Sequence, residues 1–166
     1  EIYTLSLHDA LPIFSVGASM DKQIKCQVLE NGKLPAKAHI TDAGYDLFAT
    51  HDFDIWPGEV VKHPLNIKLE LPDSSYAEIT SKSGNGSKGL LVYAGIIDEG
   101  YRGVLHVIMT NLNYANANNK LSISKGQKIA QLIMHPYSKY YSLVQVDEID
   151  SNTDRGTGGF GSSGLY

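Results

Sequence analysis

Cysteine is nearly absent from this sequence. Cys26 is the only one in 166 residues, so the chain offers no internal disulfide, no redox pair of cysteines and no thiolate zinc cage. A protein that depends on none of these suits a reducing compartment.

Basic charge is also scarce. The chain has 14 Lys and Arg against 18 Asp and Glu, which gives a formal net charge of -4. Surfaces that bind nucleic acid need massed positive charge. We therefore expect no nucleic-acid partner, and any phosphate that the protein recognises should belong to a small molecule.

The first 19 residues, EIYTLSLHDALPIFSVGAS, lack the cationic segment of a signal peptide and the long apolar run of a membrane span. No membrane association is expected from them. The stretch resembles the translated read-through of a sequencing adapter, and Met20 offers a natural start. We expect residues 1–19 to be a non-native extension, residues 20–150 to form one β domain and residues 151–166 to be a separate C-terminal segment.

Long helical periodicity is missing as well, since no window sustains apolar residues at i, i+3, i+4 and i+7. Short β-branched or aromatic segments are instead separated by Gly, Pro, Asn and Asp, which is typical of strands and turns. The segments are IKCQVL, YDLFATHDFDIW, VVKHPLNIKLEL, YAEITS, LLVYAGIID, VLHVIMTNL, KIAQLIMH and YSLVQV. They predict an all-β sandwich, jelly roll or barrel whose last strand ends near Ile149, with NYANANNK (113–120) as an exposed loop.

Two polar segments near the middle of the chain could bind an anion. TDAGYDLFA places Asp46 at the start of a strand, where a plain turn is the more ordinary interpretation. SKSGNGSKG (81–89) has small residues that let backbone N–H groups approach an anion, while Lys82 and Ser83 add a charge and a hydroxyl. The alternative is a flexible hairpin loop, and the spacing is not that of a Walker loop.

Two further segments carry groups suited to catalysis and phosphate contact. In YAGIIDEGYRG, Asp98 follows an apolar segment that should be a buried strand. Rigid backbone at the end of that strand could hold the Asp98 carboxylate where it deprotonates a water. A hairpin turn with a solvated acid explains the same pattern. In KGQKIAQLIMH, Gln131 is polar within an apolar run, and the alternation does not decide whether it is buried or faces solvent.

The C-terminal DRGTGGFGSSGLY is so poor in apolar residues that composition alone predicts disorder. Arg155 can nevertheless fork onto phosphate oxygens, Ser162 and Ser163 can donate to them, and Phe160 can lie over a flat ring. An anion-binding loop, a strand-end carboxylate and a glycine-rich segment with one arginine and one aromatic together suit a nucleoside polyphosphate.

The ordered series DAGYDLFA, SKSGNGSKG, YAGIIDEGYRG, GQKIAQLI and RGTGGFGSSG resembles the five motifs of the trimeric dUTPase family, from about Asp42 to Gly164. The resemblance implies a jelly-roll or distorted β-barrel protomer, a homotrimer with shared active sites, and magnesium-dependent hydrolysis of dUTP to dUMP and pyrophosphate. Such a reaction limits uracil in DNA and supplies dUMP for thymidylate synthesis. It implies a cytoplasmic protein of a bacterial or phage-infected cell.

The resemblance also implies roles for single residues in the third motif. Asp98 is similar to the general base that activates the water attacking the α-phosphorus. Tyr101 is similar to the tyrosine that packs under the deoxyribose and leaves no room for a 2′-hydroxyl. Ala94 and Gly95 lie in the turn whose backbone pairs with the uracil edge.

The other motifs are implied to bind the phosphates and to close the site. Ser83, Gly84 and Gln131 match phosphate contacts, and Asp46 and Lys82 match a network around the phosphates and magnesium, which no protein side chain is expected to ligate directly. The matching tail residues bind the γ-phosphate, stack on uracil and wrap the substrate over a neighbouring subunit's site: Arg155, Phe160, Gly161, Ser162 and Ser163.

The sequence departs from the family pattern at three positions and leaves two alternatives. Lys82 and Lys128 stand where arginine is common, and Gly100 stands where an acid often follows the catalytic Asp. A dCTP deaminase shares the fold but uses a glutamate on the next strand, where this chain reads VLHVIMT. A dUTP-binding regulatory protein of the phage type is the second alternative.

Overall fold

The computed structural model describes residues 22–93 and 95–159. The expectations for residues 1–19, Met20, Ala94, Phe160, Gly161, Ser162 and Ser163 therefore lie outside the described residues. Among the described residues, no helix is long and apolar enough to cross a membrane.

Nearly all regular secondary structure in the described residues is β-strand, which confirms the all-β prediction. The strands are β1 (Lys25–Val28), β2 (Gly44–Phe48), β3 (Phe53–Ile55), β4 (Val60–Pro64), β5 (Ile67–Glu70), β6 (Ser75–Thr80), β7 (Leu90–Val92), β8 (Ile96–Ile97), β9 (His106–Asn111), β10 (Leu121–Ile123) and β11 (Lys128–Pro136). A single helical turn, α1 (Ser83–Gly86), follows β6.

The strands form one four-stranded sheet, one three-stranded sheet and two pairs. Their orders are β2-β11-β6-β8, β4-β9-β7, β1-β5 and β10-β3, with all named pairs antiparallel. The strand β6 shows the expected alternation, because every second side chain of SYAEIT is buried. The inward side chains meet in one core that includes Leu47, Ile79, Met109 and Ile129.

The four-stranded sheet fixes the two places that matter for function. Strand β6 lies between β11 and β8. Gln131 of β11 is opposite Thr80, near the end of β6, whereas Ile97 of β8 is opposite Ala77, near its start. The turn after β8 and the surroundings of Gln131 therefore lie at opposite ends of β6.

One predicted strand is absent, and one observed strand lies outside all the predicted segments. YSLVQV is not a strand: the last strand ends at Pro136, and Leu143 and Val144 are 105% and 71% exposed. A strand needs a hydrogen-bonding neighbour, and no described strand lies beside this segment. The pattern also does not reveal strand β10, because three residues around a serine are too few for a periodicity to register.

The loop prediction for NYANANNK is confirmed. Residues 113–120 connect β9 to β10, and all but Asn113 are exposed. Asn113 is fixed at the root of the loop, where its backbone N–H donates to Asn111 Oδ1 at 3.0 Å.

Candidate active site

The first group of residues lies at the Thr80 end of β6, and we call it the Lys82 end. It contains the predicted site residues Asp46, Lys82, Ser83 and Gln131, together with Lys128. Asp46 comes from β2 and Gln131 from β11, directly opposite each other in the sheet. Lys82 and Ser83 follow β6. Three neighbouring strands thus bring together residues far apart in sequence.

Asp46 is the buried centre of the Lys82 end, with only 7% of its surface exposed. One carboxylate oxygen, Oδ1, accepts from Lys82 Nζ, and the other, Oδ2, lies 2.6 Å from Lys128 Nζ. Burial by itself would raise the pKa of the Asp46 carboxyl, but the hydrogen bonds from Lys128 and Lys82 outweigh burial and hold the pKa below its ordinary value. Asp46 is therefore a charged carboxylate that fixes two ammonium groups at one place.

The turn that carries Ser83 and Gly84 is held against β11. Asn85 Nδ2 donates to the carbonyls of Lys128 and Ile129, at 2.9 and 3.2 Å. Ser83 and Gly84 themselves are exposed, and a Cβ built on Gly84 would meet nothing within 4 Å. Because a single helical turn leaves its first N–H groups without partners inside the helix, this segment is open to an anion.

Gln131 is half-buried rather than pointing freely to solvent. Its Nε2 donates to the Ser81 carbonyl at 2.9 Å, and its Oε1 lies 2.6 Å from the position that a Cβ on Gly44 would occupy. Glycine at position 44 is therefore what admits this side chain. The amide nitrogen has a second hydrogen with which it can reach a phosphate oxygen.

The second group lies at the Ser75 end of β6, and we call it the Asp98 end: the turn Asp98–Tyr101. Asp98 directly follows the two-residue β8 and is exposed. It lines an open pocket of about 410 Å³ together with Tyr76, Ile96, Glu99, Gly100 and Tyr137. The backbone closes the turn through Tyr101 N–H, which donates to the Asp98 carbonyl at 3.0 Å.

Tyr101 is folded back over its own turn. Its hydroxyl donates to the Val104 carbonyl at 3.1 Å, and a Cβ on Gly103 would approach that hydroxyl to 2.4 Å. Glycine at position 103 is thus required for the tyrosine to lie there. The ring is still 43% exposed, which leaves it available to a flat ligand.

Gly95 is a position where backbone passes close to backbone. Its carbonyl accepts from Ile79 N–H at 2.8 Å, and a Cβ on it would lie 2.0 Å from the Ile79 carbonyl oxygen. Only glycine fits. Because one lone pair of the carbonyl is used within the sheet, a nucleobase contact here needs the N–H or the second lone pair.

Arg155 stands apart from both groups. Its Nε donates to the Gly158 carbonyl at 3.0 Å, and other hydrogen bonds of its turn, such as Gly156 N–H to the Thr153 carbonyl, are local. Within residues 22–93 and 95–159, no hydrogen bond or ion pair links Arg155 or Asp98 to Asp46 or Lys82. The chain by itself does not gather the predicted residues into one site.

The candidate site residues in the described part of the chain do not form a metal site made of protein side chains. In the described part of the chain, no three His, Cys, Asp or Glu side chains are grouped so that they could hold an ion. Both carboxylate oxygens of Asp46 already face ammonium groups. Mg²⁺ readily takes phosphate oxygens and waters as ligands, so these residues fit an ion that arrives with a phosphorylated ligand.

Two contributors to these groups escape sequence reasoning. Lys128 stands out in the sequence only as a departure from a pattern, although it shares Asp46 with Lys82. A spacing of three residues would place Lys128 and Gln131 on opposite faces of a regular strand, but the register of β11 against β2 shifts between Lys128 and Ala130. Glu99, beside Asp98, has the pattern of a solvated acid, yet its carboxylate accepts from Ser74 N–H and from the Tyr137 hydroxyl, both at 3.0 Å. Nothing in the sequence connects residues so far apart.

Comparison with known proteins agrees with this geometry. The family model described as dUTPase matches residues 30–164. The deoxyuridine 5'-triphosphate nucleotidohydrolase of Gloeothece citriformis is 41% identical over 137 residues, covering 80% of this chain and 89% of that protein.

Two solved structures of phage dUTPases are similar in fold. That of Staphylococcus bacteriophage 80alpha with dUPNHPP has a TM-score of 0.80 at 30% identity, over 86% of this chain and 99% of that one. A mutant dUTPase from phage phi11 of S. aureus, described as coordinating a structural Mg(II) ion, has a TM-score of 0.71 at 28% identity, over 76% and 98%. This chain belongs to the dUTPase family.

Proposed function

We propose that the chain hydrolyses dUTP to dUMP and pyrophosphate, by attack of water on the α-phosphorus. The observation that carries the proposal is the exposed Asp98 carboxylate, which directly follows the strand β8 and lines an open pocket in a member of the dUTPase family. We place the reaction in the cytoplasm, since a chain with one cysteine suits a reducing compartment.

Asp98 is the general base of the proposed reaction. Its carboxylate takes a proton from a water that then forms the new P–O bond, while pyrophosphate leaves with the electrons of the broken P–O bond. A carboxylate suits this task because it is ionised at neutral pH and accepts protons without itself carrying positive charge near the phosphates.

Tyr101, Ala94 and Gly95 select the nucleoside. The half-exposed Tyr101 ring offers a flat face on which a deoxyribose can pack, and a 2′-hydroxyl would collide with it. Gly95 would offer its backbone polar groups to the base, since it has no side chain to block the approach. Backbone donors and acceptors at fixed positions discriminate between base edges by the hydrogen bonds that a wrong base leaves unmade.

The Lys82 end binds the phosphates. Lys82 and Lys128 supply two positive charges that Asp46 holds in place, and Ser83, Gly84 and Gln131 supply neutral donors. A bound Mg²⁺ would offset the charge of the triphosphate oxygens, with phosphates and waters as its ligands. Asp46 acts here by orienting the lysines.

The segment 151–166 is the proposed lid. Arg155 and Ser163 would bind the γ-phosphate, Phe160 would stack on uracil, and Gly161 and Ser162 would wrap the substrate. Closure would exclude water and strengthen each charged contact. Among the described residues, Arg155 forms hydrogen bonds within its own turn only, so substrate would provide the partners that order it.

The proposed assembly is a homotrimer in which one site uses parts of different chains. The Asp98 end lies beside Tyr76, and the Lys82 end begins beyond Thr80, about 13 Å further along the strand β6. One chain thus presents its base and its phosphate ligands at opposite ends of a strand. Bringing the Asp98 end of one subunit to the Lys82 end of its neighbour completes a site.

A second candidate function is dUTP-dependent regulation through a protein partner. It is favoured by the similarity to the phage 80alpha dUTPase, which is described as controlling the transfer of virulence genes by a G protein-like mechanism. In that case dUTP would be bound without rapid cleavage. Hydrolysis at an ordinary enzymatic rate would leave this candidate without support.

The test is pyrophosphate release with Mg²⁺ from dUTP, dCTP, dTTP and UTP, run in ¹⁸O-labelled water. We expect release from dUTP alone, with the label in dUMP, because attack on the α-phosphorus places the water oxygen there. Label in pyrophosphate would contradict the α-attack. Ammonia release from dCTP would identify a deaminase, and binding of dUTP without cleavage would favour the regulatory candidate.

A further inference from the structure

Glu99 occupies a closed triangle of contacts next to the proposed base. Its Oε2 accepts from Ser74 N–H and from the Tyr137 hydroxyl, both at 3.0 Å. The third side of the triangle is the Tyr137 N–H, which donates to the Ser74 carbonyl at 3.0 Å. One carboxylate oxygen therefore joins the turn before β6, the segment after β11 and the turn after β8.

The other oxygen of Glu99 belongs to an ion-pair network. Lys139 Nζ lies 2.8 Å from Glu99 Oε1 and 2.5 Å from Asp73 Oδ1. Isolated surface ion pairs contribute little, but a cation shared by two carboxylates, one of which also accepts a backbone N–H, constrains geometry far more than a single pair. Lys139, Tyr137 and Ser74 together hold the pKa of Glu99 below its usual value, so it is charged at neutral pH.

The turn that carries Asp98 has little else to hold it. Strand β8 contains two residues, Ile96 and Ile97, that pair with β6, and the bond from Ile79 N–H to the Gly95 carbonyl extends this contact only on the side away from Asp98. A two-residue edge strand cannot fix the direction of the chain that follows it. The backbone bond from Tyr101 N–H to the Asp98 carbonyl closes the turn on itself but does not tie it to the sheet.

Ser74 explains why a carboxylate is needed at this position. It has a positive φ of 59°, an uncommon conformation for a residue with a side chain. Its N–H points at Glu99, and Ser75 begins the central strand β6. The Glu99 carboxylate thus accepts from the N–H of a residue in a strained turn. It also attaches the chain to the β6 region two residues beyond Ile97, the last residue of β8 that pairs with β6.

We propose that Glu99 is a positioning residue for Asp98. Its side chain fastens the catalytic turn to the start of β6 and to the segment after β11, so that the adjacent carboxylate faces the pocket at a fixed place. This inference rests on the proposed function, in which Asp98 is the base. Proton transfer depends on atomic placement, and a displacement of about 1 Å can cost about 100-fold in rate.

The test compares Glu99→Ala, Glu99→Gln and Tyr137→Phe in the full chain. The matched control is Glu70→Gln, since Glu70 is an exposed acid that, like Glu99, pairs with a lysine: its partner is Lys25, at 2.7 Å. The measured quantities are kcat, KM for dUTP, the Kd of a non-hydrolysable dUTP analogue, and amide hydrogen exchange of the peptide 96–101.

For Glu99→Ala we expect kcat to fall by about tenfold or more, with KM and analogue Kd within about twofold of the parent. Glu99→Gln should retain more of kcat, because its amide oxygen still accepts from Ser74 N–H, and Tyr137→Phe should lose least. Amide exchange in 96–101 should accelerate in Glu99→Ala and stay unchanged in Glu70→Gln. An unchanged kcat in folded Glu99→Ala, or a loss shared equally by kcat and Kd, would overturn the proposal.

Amide hydrogen exchange distinguishes a failure of this proposal from a failure of the proposed function. If the parent protein does not hydrolyse dUTP, the proposed function fails, whereas faster exchange in Glu99→Ala still establishes that Glu99 holds the turn. If exchange in 96–101 is the same in Glu99→Ala as in the parent, the positioning role fails even for an active enzyme.

Discussion

The two ends of β6 use charge in different ways. At the Lys82 end, one buried carboxylate, Asp46, holds two half-exposed ammonium groups, so the net charge presented to a ligand is positive. At the Asp98 end, the cation Lys139 lies between the two carboxylates Asp73 and Glu99, and Asp98 is left exposed beside them. The first arrangement suits an anion, and the second suits a base whose turn must not move.

This contrast gives the two ends separable functions. Removing the Asp98 carboxylate should stop the chemical step while leaving substrate binding intact. Removing a group at the Lys82 end should weaken both binding and chemistry, since phosphate contacts persist from substrate to transition state. Substitutions at each end can therefore test the division.

Asp98→Asn should lower kcat by about 1,000-fold, which is within the range that a general base contributes. The shape of the side chain is kept, so the Kd of a dUTP analogue should change by less than about twofold. Stopped-flow pyrophosphate detection and calorimetry measure the two quantities. A variant that still turns over at about a tenth of the parental rate would place the base elsewhere.

Truncation before Asp154 should lower kcat/KM by about 100-fold, because the γ-phosphate would lose the charge-assisted contacts of Arg155 and the site would stay open to water. Thermal stability should not change, since the hydrogen bonds of Arg155 and Gly156 are local to their own turn. Retained kcat/KM in the truncated chain would show that the C-terminal segment is not a lid.

Asp46→Asn should lower kcat/KM by roughly 10- to 100-fold, which corresponds to a charge-assisted hydrogen bond of about 1.5–3 kcal/mol. Lys82 and Lys128 would no longer be held together, so both KM and kcat should suffer. Asp54→Asn is the matched control, because Asp54 also pairs with a lysine, Lys120, at 2.6 Å, but on β3. Equal effects in the two variants would mean that the loss is electrostatic and general.

Mild acid should destabilise the fold through the buried His63 rather than through the charged groups at either end of β6. His63 is 1% exposed, its Nε2 accepts from Thr50 N–H at 3.0 Å, and burial together with the charges of His51 and His106 lowers its pKa to about 4. The neutral form is favoured in the fold. Its contribution to stability is therefore full above the unfolded pKa of 6.5 and is lost as the pH falls from there to about 4.

Between about pH 7.5 and pH 5 the loss should be about 2 kcal/mol, measured by urea denaturation at fixed protein concentration. Asp46 and Glu99 keep their charges in this window because their pKa values are lowered. His63→Gln should flatten the pH dependence, whereas His39→Gln, at an exposed position, should not. A pH profile that is unchanged in His63→Gln would assign the acid sensitivity to another group.

The sequence could predict the fold class and most strands, because alternation and turn residues are local signals. The segment SYAEIT of β6 is an example, since its buried and exposed residues alternate without exception. It could not predict that YSLVQV has no strand partner among the described residues, because partnering depends on distant chain or on another subunit.

The family resemblance predicts individual residues of the candidate site, but it does not reveal how they are arranged. Asp46, Lys82 and Gln131 converge because β2, β11 and β6 are neighbours, which periodicity does not reveal. The pairing of both lysines with Asp46 and the contact of Glu99 with Ser74 and Tyr137 are consequences of register and turn geometry. The separation of the two ends along β6 has the same origin.

In the proposed trimer, one active site takes its base from one chain and its phosphate ligands from another. Co-expression of Asp98→Asn subunits with Lys82→Ala/Gln131→Ala subunits tests this arrangement, because each homotrimer lacks one half of every site. Random mixing of equal amounts should restore about a quarter of the parental dUTP hydrolysis per site. In about one interface in four, a subunit with intact Asp98 then meets a neighbour with intact Lys82 and Gln131. Mixed trimers no more active than the sum of the two inactive parents would contradict the shared site.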